Sequence, residues 1–297
     1  MGRDARMNGR RLSFAGLRLK RILLLLLALA SASTWMVATA AAAPPGRIVS
    51  LAPNLTEILY DLGLEERIAA VTNYCDYPPE ARAKPRVGGF ANPSLERIVS
   101  LRPDWVFMTE DGNPQVLERR LKALGIRTYT FQARRIRDLP GEIRAMGKAL
   151  GIKSEADRRA RRIEEGIRRI GETARTARRR EVRSAIFIVQ PMPLIAAGKG
   201  TAIDDALAIL GIDNVAATGN TGYPKYSIEE IIRLGPDALF FGKGRGMESH
   251  AKPLIEKLGS LEAVRSRRVY FIDETIYRLG PRIPSALEEM ADRLNLR

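Results

Sequence analysis

SLERIVSLRPDWVFMT, Ser94 to Thr109, returns as SIEEIIRLGPDALFFG, Ser227 to Gly242, with Ser, Glu, Ile, Leu, Pro, Asp and Phe at matching offsets. Each copy predicts a helix opened by a Ser N-cap, carrying a carboxylate in its first turn and stopped before Pro, followed by an apolar strand. A separation of about 130 residues is far too long for a solenoid period. The repeat therefore predicts two similar α/β lobes, and two lobes imply a cleft and a ligand.

Working outward, RIVSL at Arg47–Leu51 is a short β-rich run, and Pro53-Asn54-Leu55-Thr56-Glu57 opens a helix ending near Leu62-Gly63. Apolar runs at Ile68–Val71, Trp105–Met108 and Arg127–Phe131 alternate with helical segments at Leu95–Leu101 and Val116–Leu124, as in an α/β lobe. From Leu139 to about Arg178, helical periodicity runs through Ile143, Met146, Leu150, Ile163, Ile167 and Ile170 without a strand signal. The stretch predicts one long connecting helix that Gly151, Gly166 and Gly171 bend or interrupt. A second lobe follows with strands Ala185–Gln190, Ala238–Phe241 and Val269–Ile272 and helices Ala202–Leu210 and Ile283–Leu294. The expected organisation is a lobe over 44–138, a connecting helix over 139–180 and a second lobe over 181–297.

Residues 1–43 read as a secretory signal peptide. A basic stretch from Arg3 to Arg21 precedes ILLLLLALA at Ile22–Ala30, and Ala41 and Ala43 sit at the small positions of a cleavage site before Pro44. The apolar run is shorter than the ~20 residues a spanning helix needs. Phe14 lies one residue too far along for a twin-arginine signal, and no Cys follows the run to take a lipid. The roughly 254 residues from Pro44 suffice for one or two ordinary domains.

Of the formal charge of +15, the first 43 residues carry seven cations against Asp4, leaving +9 on the remainder. Ten arginines crowd Arg158–Arg180 beside Glu155, Glu164, Glu165 and Glu172, the pattern of a long solvated helix with salt-bridged faces rather than a nucleic-acid surface. Cys75 is the only cysteine, so no internal disulfide forms. His250 is the only histidine and follows a polar, Gly-rich stretch, where it reads as a solvated loop residue. Metal sites built on several imidazoles are excluded, as is a Ser-His-Asp triad that omits His250. No Walker loop or dinucleotide fingerprint is present. No metal site and no catalytic residue is expected.

RIVSLAPNLTEILYDLG at Arg47–Gly63, NYCDYPPEA at Asn73–Ala81, VGGFANPSLERIVSLRPDWVF at Val87–Phe107 and GPRIPSALEEMA at Gly280–Ala291 together resemble the class III periplasmic substrate-binding proteins of ABC importers for vitamin B12, ferric siderophores and haem. The resemblance covers essentially the whole mature chain and is nearest the vitamin B12 branch. It implies two Rossmann-like lobes bridged by one long helix, and a monomer that binds no cofactor, works in the periplasm and delivers its cargo to a permease dimer in the inner membrane. It implies a ligand site at Ala52, Pro53, Asn54, Tyr74, Phe90 and Thr109 in the first lobe and Leu194, Ile195, Tyr223 and Arg278 in the second. It also implies that Glu96 and Glu229, one per repeat, dock the permease, with Glu230 next to Glu229 able to substitute.

The chain departs from the B12 pattern in its tryptophans: Trp105 alone remains after the signal, inside an apolar strand, while Phe90, Thr109 and Tyr223 stand at the expected cleft positions. A corrinoid is the leading ligand. Haem, with a tyrosinate such as Tyr74 as axial ligand, and a ferric siderophore held by Arg278 or Arg282 are the rivals. Two other classes stand against this reading. An exported hydrolase or lyase would use Asp76, Glu110 and Asp111, and an adhesion module would use the Arg-rich helix.

Overall fold

The computed structural model describes residues 46–177, 181–244 and 246–296. The predicted signal segment and Arg178 to Arg180 lie outside them. The first lobe runs β1 (Ile48–Ser50), α1 (Pro53–Asp61), β2 (Ile68–Val71), α2 (Leu95–Ser100), β3 (Trp105–Thr109), α3 (Gln115–Ala123) and β4 (Arg127–Phe131). Its four strands form a parallel sheet in the order β2-β1-β3-β4.

The connector is two helices, α4 (Leu139–Ala149) and α5 (Lys153–Thr176), rather than one. Gly151 makes the break with a left-handed φ of 74°, a conformation that glycine enters without a Cβ clash. Gly166 and Gly171 do not interrupt α5; they let neighbours close in. A Cβ on Gly166 would lie 3.0 Å from Pro284, and one on Gly171 would lie 3.2 Å from the Ile209 carbonyl oxygen. The charged face of α5 is laced with ion pairs, among them Arg159–Glu155, Arg168–Glu172 and the bidentate Arg144–Glu164 contact at 2.7 Å.

The second lobe contains β5 (Ser184–Pro191), β6 (Leu194–Ala196), α6 (Ala202–Leu210), β7 (Asp213–Asn214), α7 (Ile228–Leu234), β8 (Ala238–Gly242), α8 (Met247–Lys257), α9 (Glu262–Arg265), β9 (Val269–Ile272) and α10 (Ile283–Arg293). Its sheet runs β6-β5-β8-β9, parallel except for the β5–β6 hairpin, with β7 beside β5. His250 lies in the first turn of α8 rather than in a loop. Gly246, the N-cap at φ 72°, and Pro253 inside the helix give this segment the composition of a loop.

The repeated segment folds the same way twice. Ser94 accepts the Arg97 N–H at 3.3 Å to cap α2, and Ser227 accepts the Glu230 N–H at 3.1 Å to cap α7. The helices end at matching left-handed residues, Arg102 (φ 47°) and Gly235 (φ 56°). The matching aspartates tie each unit to the first strand of its own lobe. Asp104 accepts the Arg47 N–H at 2.7 Å, and Asp237 accepts the N–H groups of Arg183 and Ser184 at 2.9 Å each. Charge-assisted bonds of this kind are stronger than neutral ones, so one aspartate per lobe fixes the strand register beneath the cleft.

One apolar core crosses the molecule. It joins Leu55 and Leu59 of α1 and Phe107 of β3 to Ile163 and Ile170 of α5, Phe187 of β5 and Leu287 of α10. The outer sheet faces carry separate cores, Val49, Val106 and Leu121 in one lobe and Ile186, Phe241 and Leu254 in the other. Two buried carboxylates are held by arginines of the opposite lobe: Glu57 of α1 by Arg282, and Asp205 of α6 by Arg137. Trp105 is half-buried at the start of β3, with the Arg127 guanidinium 4.6 Å over its ring. That is the end of the strand remote from Thr109.

Candidate functional site

Loops at the carboxyl ends of the first sheet meet the segment after β9 around a cavity of about 290 Å³. Pro53 and Asn54 follow β1, Thr109 ends β3 with Asp111 just beyond it, and Phe131 and Ala133 follow from β4. Phe90 comes from the loop ahead of α2; Tyr277, Arg278 and Leu279 come from the second lobe. This is where ligands sit in open α/β sheets.

Asn113 organises the first-lobe side. It is buried, and its side chain accepts the Thr109 N–H at 2.8 Å while donating to the carbonyls of Leu51 at 3.2 Å and Phe90 at 2.8 Å. Three loops are thereby pinned by one amide. The Phe90 ring lies directly against Gly112, where a Cβ would approach within 1.8 Å. On the other wall Tyr277 packs edge-on to Phe187 and crosses Gly242, where a Cβ would come within 2.9 Å of the phenol oxygen. Burial, and then the charge of Glu274, push the Tyr277 phenol up to about 12.

The cavity's cation is already engaged. Arg278 pairs with Asp76 of the first lobe at 3.0 Å and with Glu274, and lies 3.8 Å from Glu57. Burial works against the charged form of Asp76, but the Arg278 hydrogen bond and charge prevail and hold this carboxyl below its ordinary range. Beside it, Arg282 grips Glu57 bidentately at 2.9 and 2.7 Å and stacks 3.8 Å over the Tyr77 ring. Glu110 and Asp111 share Arg134 at 3.2 and 3.4 Å. Asp76, Glu110 and Asp111 are thus ion-pair partners.

Of the residues expected at the ligand site, Pro53, Asn54, Phe90, Thr109 and Arg278 line the cavity together. Ala52 is fully buried beneath it. Tyr74 and Tyr223 are 53% and 59% exposed and stand outside the lining. The Tyr223 phenol is nevertheless raised, first by desolvation and then by Asp111 of the opposite lobe. Leu194 and Ile195 lie in β6; Leu194 floors a separate groove, and Ile195 bridges to Lys225. Asn113, Gly112, Phe131, Tyr277 and the Glu57–Arg282 pair were not anticipated. Only NPQ at Asn113–Gln115, a turn ahead of a helix, hinted at a structured loop.

Glu96 and Glu229 occupy the second position of α2 and α7 and are exposed, and neither forms an ion pair among the described residues. Glu230 is committed elsewhere: its carboxylate accepts the Ser227 N–H at 2.7 Å, completing a capping box.

The sequence profile of the periplasmic binding protein family matches residues 48–276. An uncharacterised ABC transporter substrate-binding lipoprotein, YvrC of Bacillus subtilis, is 31% identical over 84% of this chain and 80% of its own. The vitamin B12-binding protein of Pectobacterium carotovorum is 26% identical over 87% of this chain and 92% of its own. The periplasmic haem-binding protein RhuT of Roseiflexus sp. RS-1, solved without ligand, superposes with a TM-score of 0.76 at 28% identity, over 84% of this chain and 98% of that one. With the two lobes, the bridging helix and the cleft in place, the chain belongs to the periplasmic binding protein family, as an ABC-transporter substrate-binding protein of class III.

Proposed function

We propose that this protein captures a corrinoid between its lobes and hands it to an importer's permease, the bound molecule being cargo rather than cofactor. The observation that carries the choice of ligand is the state of Arg278. The cation lining the cavity is already neutralised by Asp76 and Glu274 and faces Glu57. Haem propionates or an anionic siderophore would compete with three carboxylates for it, whereas the amide-edged face of a corrinoid needs only donors, acceptors and aromatic surface. Phe90, Phe131 and Tyr277 supply that surface, and Asn54 and Thr109 the polar contacts. The cavity, about 290 Å³, falls just below the ~300–1,000 Å³ typical of ligand pockets. A macrocycle would therefore seat one edge there and spread towards the exposed Tyr74 and Tyr223.

Haem is the second reading, favoured by the exposed phenol of Tyr74 as an axial ligand. Tyr277 is the poorer donor, because its raised phenol resists the anionic form. Glu96 and Glu229, the exposed carboxylates of the two repeats, present one charge per lobe to the permease. Absorbance titrations with hydroxocobalamin, haemin and a ferric siderophore, each added separately, test the ligand. Saturation at one equivalent with hydroxocobalamin and weaker binding of the anions is expected; tight, Tyr74-dependent haemin binding without a cobalamin response would replace corrinoid by haem.

A further inference from the structure

Beside α7 lies a second and larger concavity, about 660 Å³, which shares no lining residue with the inter-lobe cavity. Its lining includes Leu194 of β6, Leu254 and Met247 of α8, and Ile228, the first residue of α7, with His250 and Lys257 of α8 among its polar members. Met192, at the tip of the β5–β6 hairpin, forms its lip with 83% of its surface exposed. Val189 and Ile232 nearby in sequence to these walls are each 38% exposed. A concave, mainly apolar surface of this kind has the shape in which an anchor side chain is buried at an interface.

The groove is continuous with the helix that carries Glu229. Ser227 and Ile228 line it, and Glu229 is the next residue. An exposed carboxylate pair alone makes a weak joint, because surface ion pairs gain little in water, and stable interfaces are anchored by a few apolar or aromatic side chains in desolvated pockets rimmed by polar groups. The two features complement one another: Glu229 fixes register, and the groove beside it accepts an anchor.

We infer that the groove between the β5–β6 hairpin and α8 is the anchor pocket of the docking face, filled by a large apolar side chain on an extramembrane loop of the permease whose neighbouring basic residue meets Glu229. This inference rests on the reading of Glu229 as a docking charge. The ligand has a different cavity, built from other residues, and is not the occupant.

The test places the photo-crosslinker p-benzoylphenylalanine at Met192 of the full chain, in cells that carry the importer, and identifies adducts by mass spectrometry after irradiation. A parallel chain carries it at Ile232, on the Glu229 face of α7 and outside the groove lining. Permease adducts are expected from both positions. Introducing Met192→Asp into the Ile232-labelled chain should lower its permease adduct at least about fivefold, consistent with loss of a hot-spot contact, while the hydroxocobalamin and haemin titrations of that variant stay within about twofold of the parent. Because Met192 is exposed, folding is not at stake. A permease adduct from Ile232 but none from Met192, with Met192→Asp silent, overturns the groove and leaves Glu229 docking intact. Absence of permease adducts at both positions overturns the docking reading together with the groove. Adducts to a second copy of this chain at Met192, or loss of ligand binding in Met192→Asp, overturn the groove by naming a different occupant.

Discussion

Replacing Arg282 by Met should destabilise the protein more than any other single change at the cleft. The Glu57 side chain is 1% exposed and Arg282 supplies both of its short contacts, at 2.9 and 2.7 Å. Removing one partner of a buried pair strands the other charge, which costs ~3–5 kcal/mol. Arg278, already 3.8 Å from Glu57, shifts the expectation to the lower half of that range. It can close on Glu57 by giving up Asp76, whose 53% exposed side chain water can solvate. Losing the guanidinium stack on Tyr77 adds ~0.5–1 kcal/mol. The sum is about 4 kcal/mol, and for a chain of this size each kcal/mol moves Tm by ~2–4 °C. A fall of roughly 8–16 °C follows.

Thermal and urea unfolding of four proteins settle the matter: parent, Arg282→Met, Arg278→Met and the double variant Glu57→Leu with Arg282→Met. The double variant should recover most of the loss, because no charge is left buried. Arg278→Met should cost less than Arg282→Met, since Glu57 keeps its bidentate partner. A deficit below about 1 kcal/mol, or an Arg278→Met variant that is the less stable of the two, would refute the reasoning.

The charge reversals Glu96→Lys and Glu229→Lys together should leave hydroxocobalamin titrations unchanged and weaken permease association by several kcal/mol, measured with the reconstituted importer. Asn113→Ala should release the Phe90 loop, lowering stability by ~1–3 kcal/mol and weakening ligand binding in the same titration; Gly112→Ala should weaken binding by displacing the Phe90 ring. Arg102→Gly should stabilise by about 0.5 kcal/mol, since relief of a left-handed residue, ~1–2 kcal/mol, exceeds the entropy of glycine, ~0.5–1 kcal/mol; a chemical denaturation midpoint that falls counts against it. Burial opposes the charge on Asp237, but hydrogen bonds from the Arg183 and Ser184 N–H groups and the Ser184 hydroxyl outweigh it and lower its folded value. A folded value below the unfolded one contributes stability above the ordinary carboxylate range that is lost as pH falls through the folded value. The stability gap between parent and Asp237→Ala, followed by urea unfolding, should therefore close below about pH 4. Solution scattering should show free and liganded forms differing by only a few degrees in lobe angle; a large compaction would contradict the rigid frame.

Local signals carried most of the fold. The Ser caps, the Pro stops and the β-branched and aromatic runs of the repeat act within a dozen residues, so both copies were readable, as were the parallel strands around them. The connector shows the limit of periodicity: apolar spacing persists through Ile143, Leu150 and Ile163 because α4 and α5 bury faces in the same core, so spacing alone reads across the turn, and of the three glycines expected to bend or interrupt the stretch only Gly151 does so. His250 failed for the opposite reason. Gly246 and Pro253 have loop chemistry, yet a helix accepts both where tertiary packing of Ala251 and Leu254 rewards it. The cleft charges were the least legible. Glu57 and Arg282 are 225 residues apart, and nothing in either neighbourhood announces a partner, so Arg278 and Arg282 read as anion sites until the fold supplied their carboxylates.

The two inter-lobe ties with a buried carboxylate are reciprocal, with Glu57 of the first lobe held by Arg282 and Asp205 of the second held by Arg137. They are not strong in the sense of resisting separation, because lobes that part admit water to all four charges, and a buried pair barely outweighs its own desolvation. What they exclude is every arrangement that keeps the lobes together out of register, since each such arrangement strands a charge. Resistance to opening comes instead from the core shared by α1, α5 and α10, where exposing a large side chain costs ~1.5–3 kcal/mol. Register set by charge and closure set by apolar contact leave small rotations about α5 as the cheap motion. A receptor built this way presents a cleft shaped before the ligand arrives, so binding energy is not consumed in closing it. Emptying the cleft then requires work from outside, and under the proposed docking role the exposed carboxylate on each lobe is the geometry through which a two-fold partner would apply it.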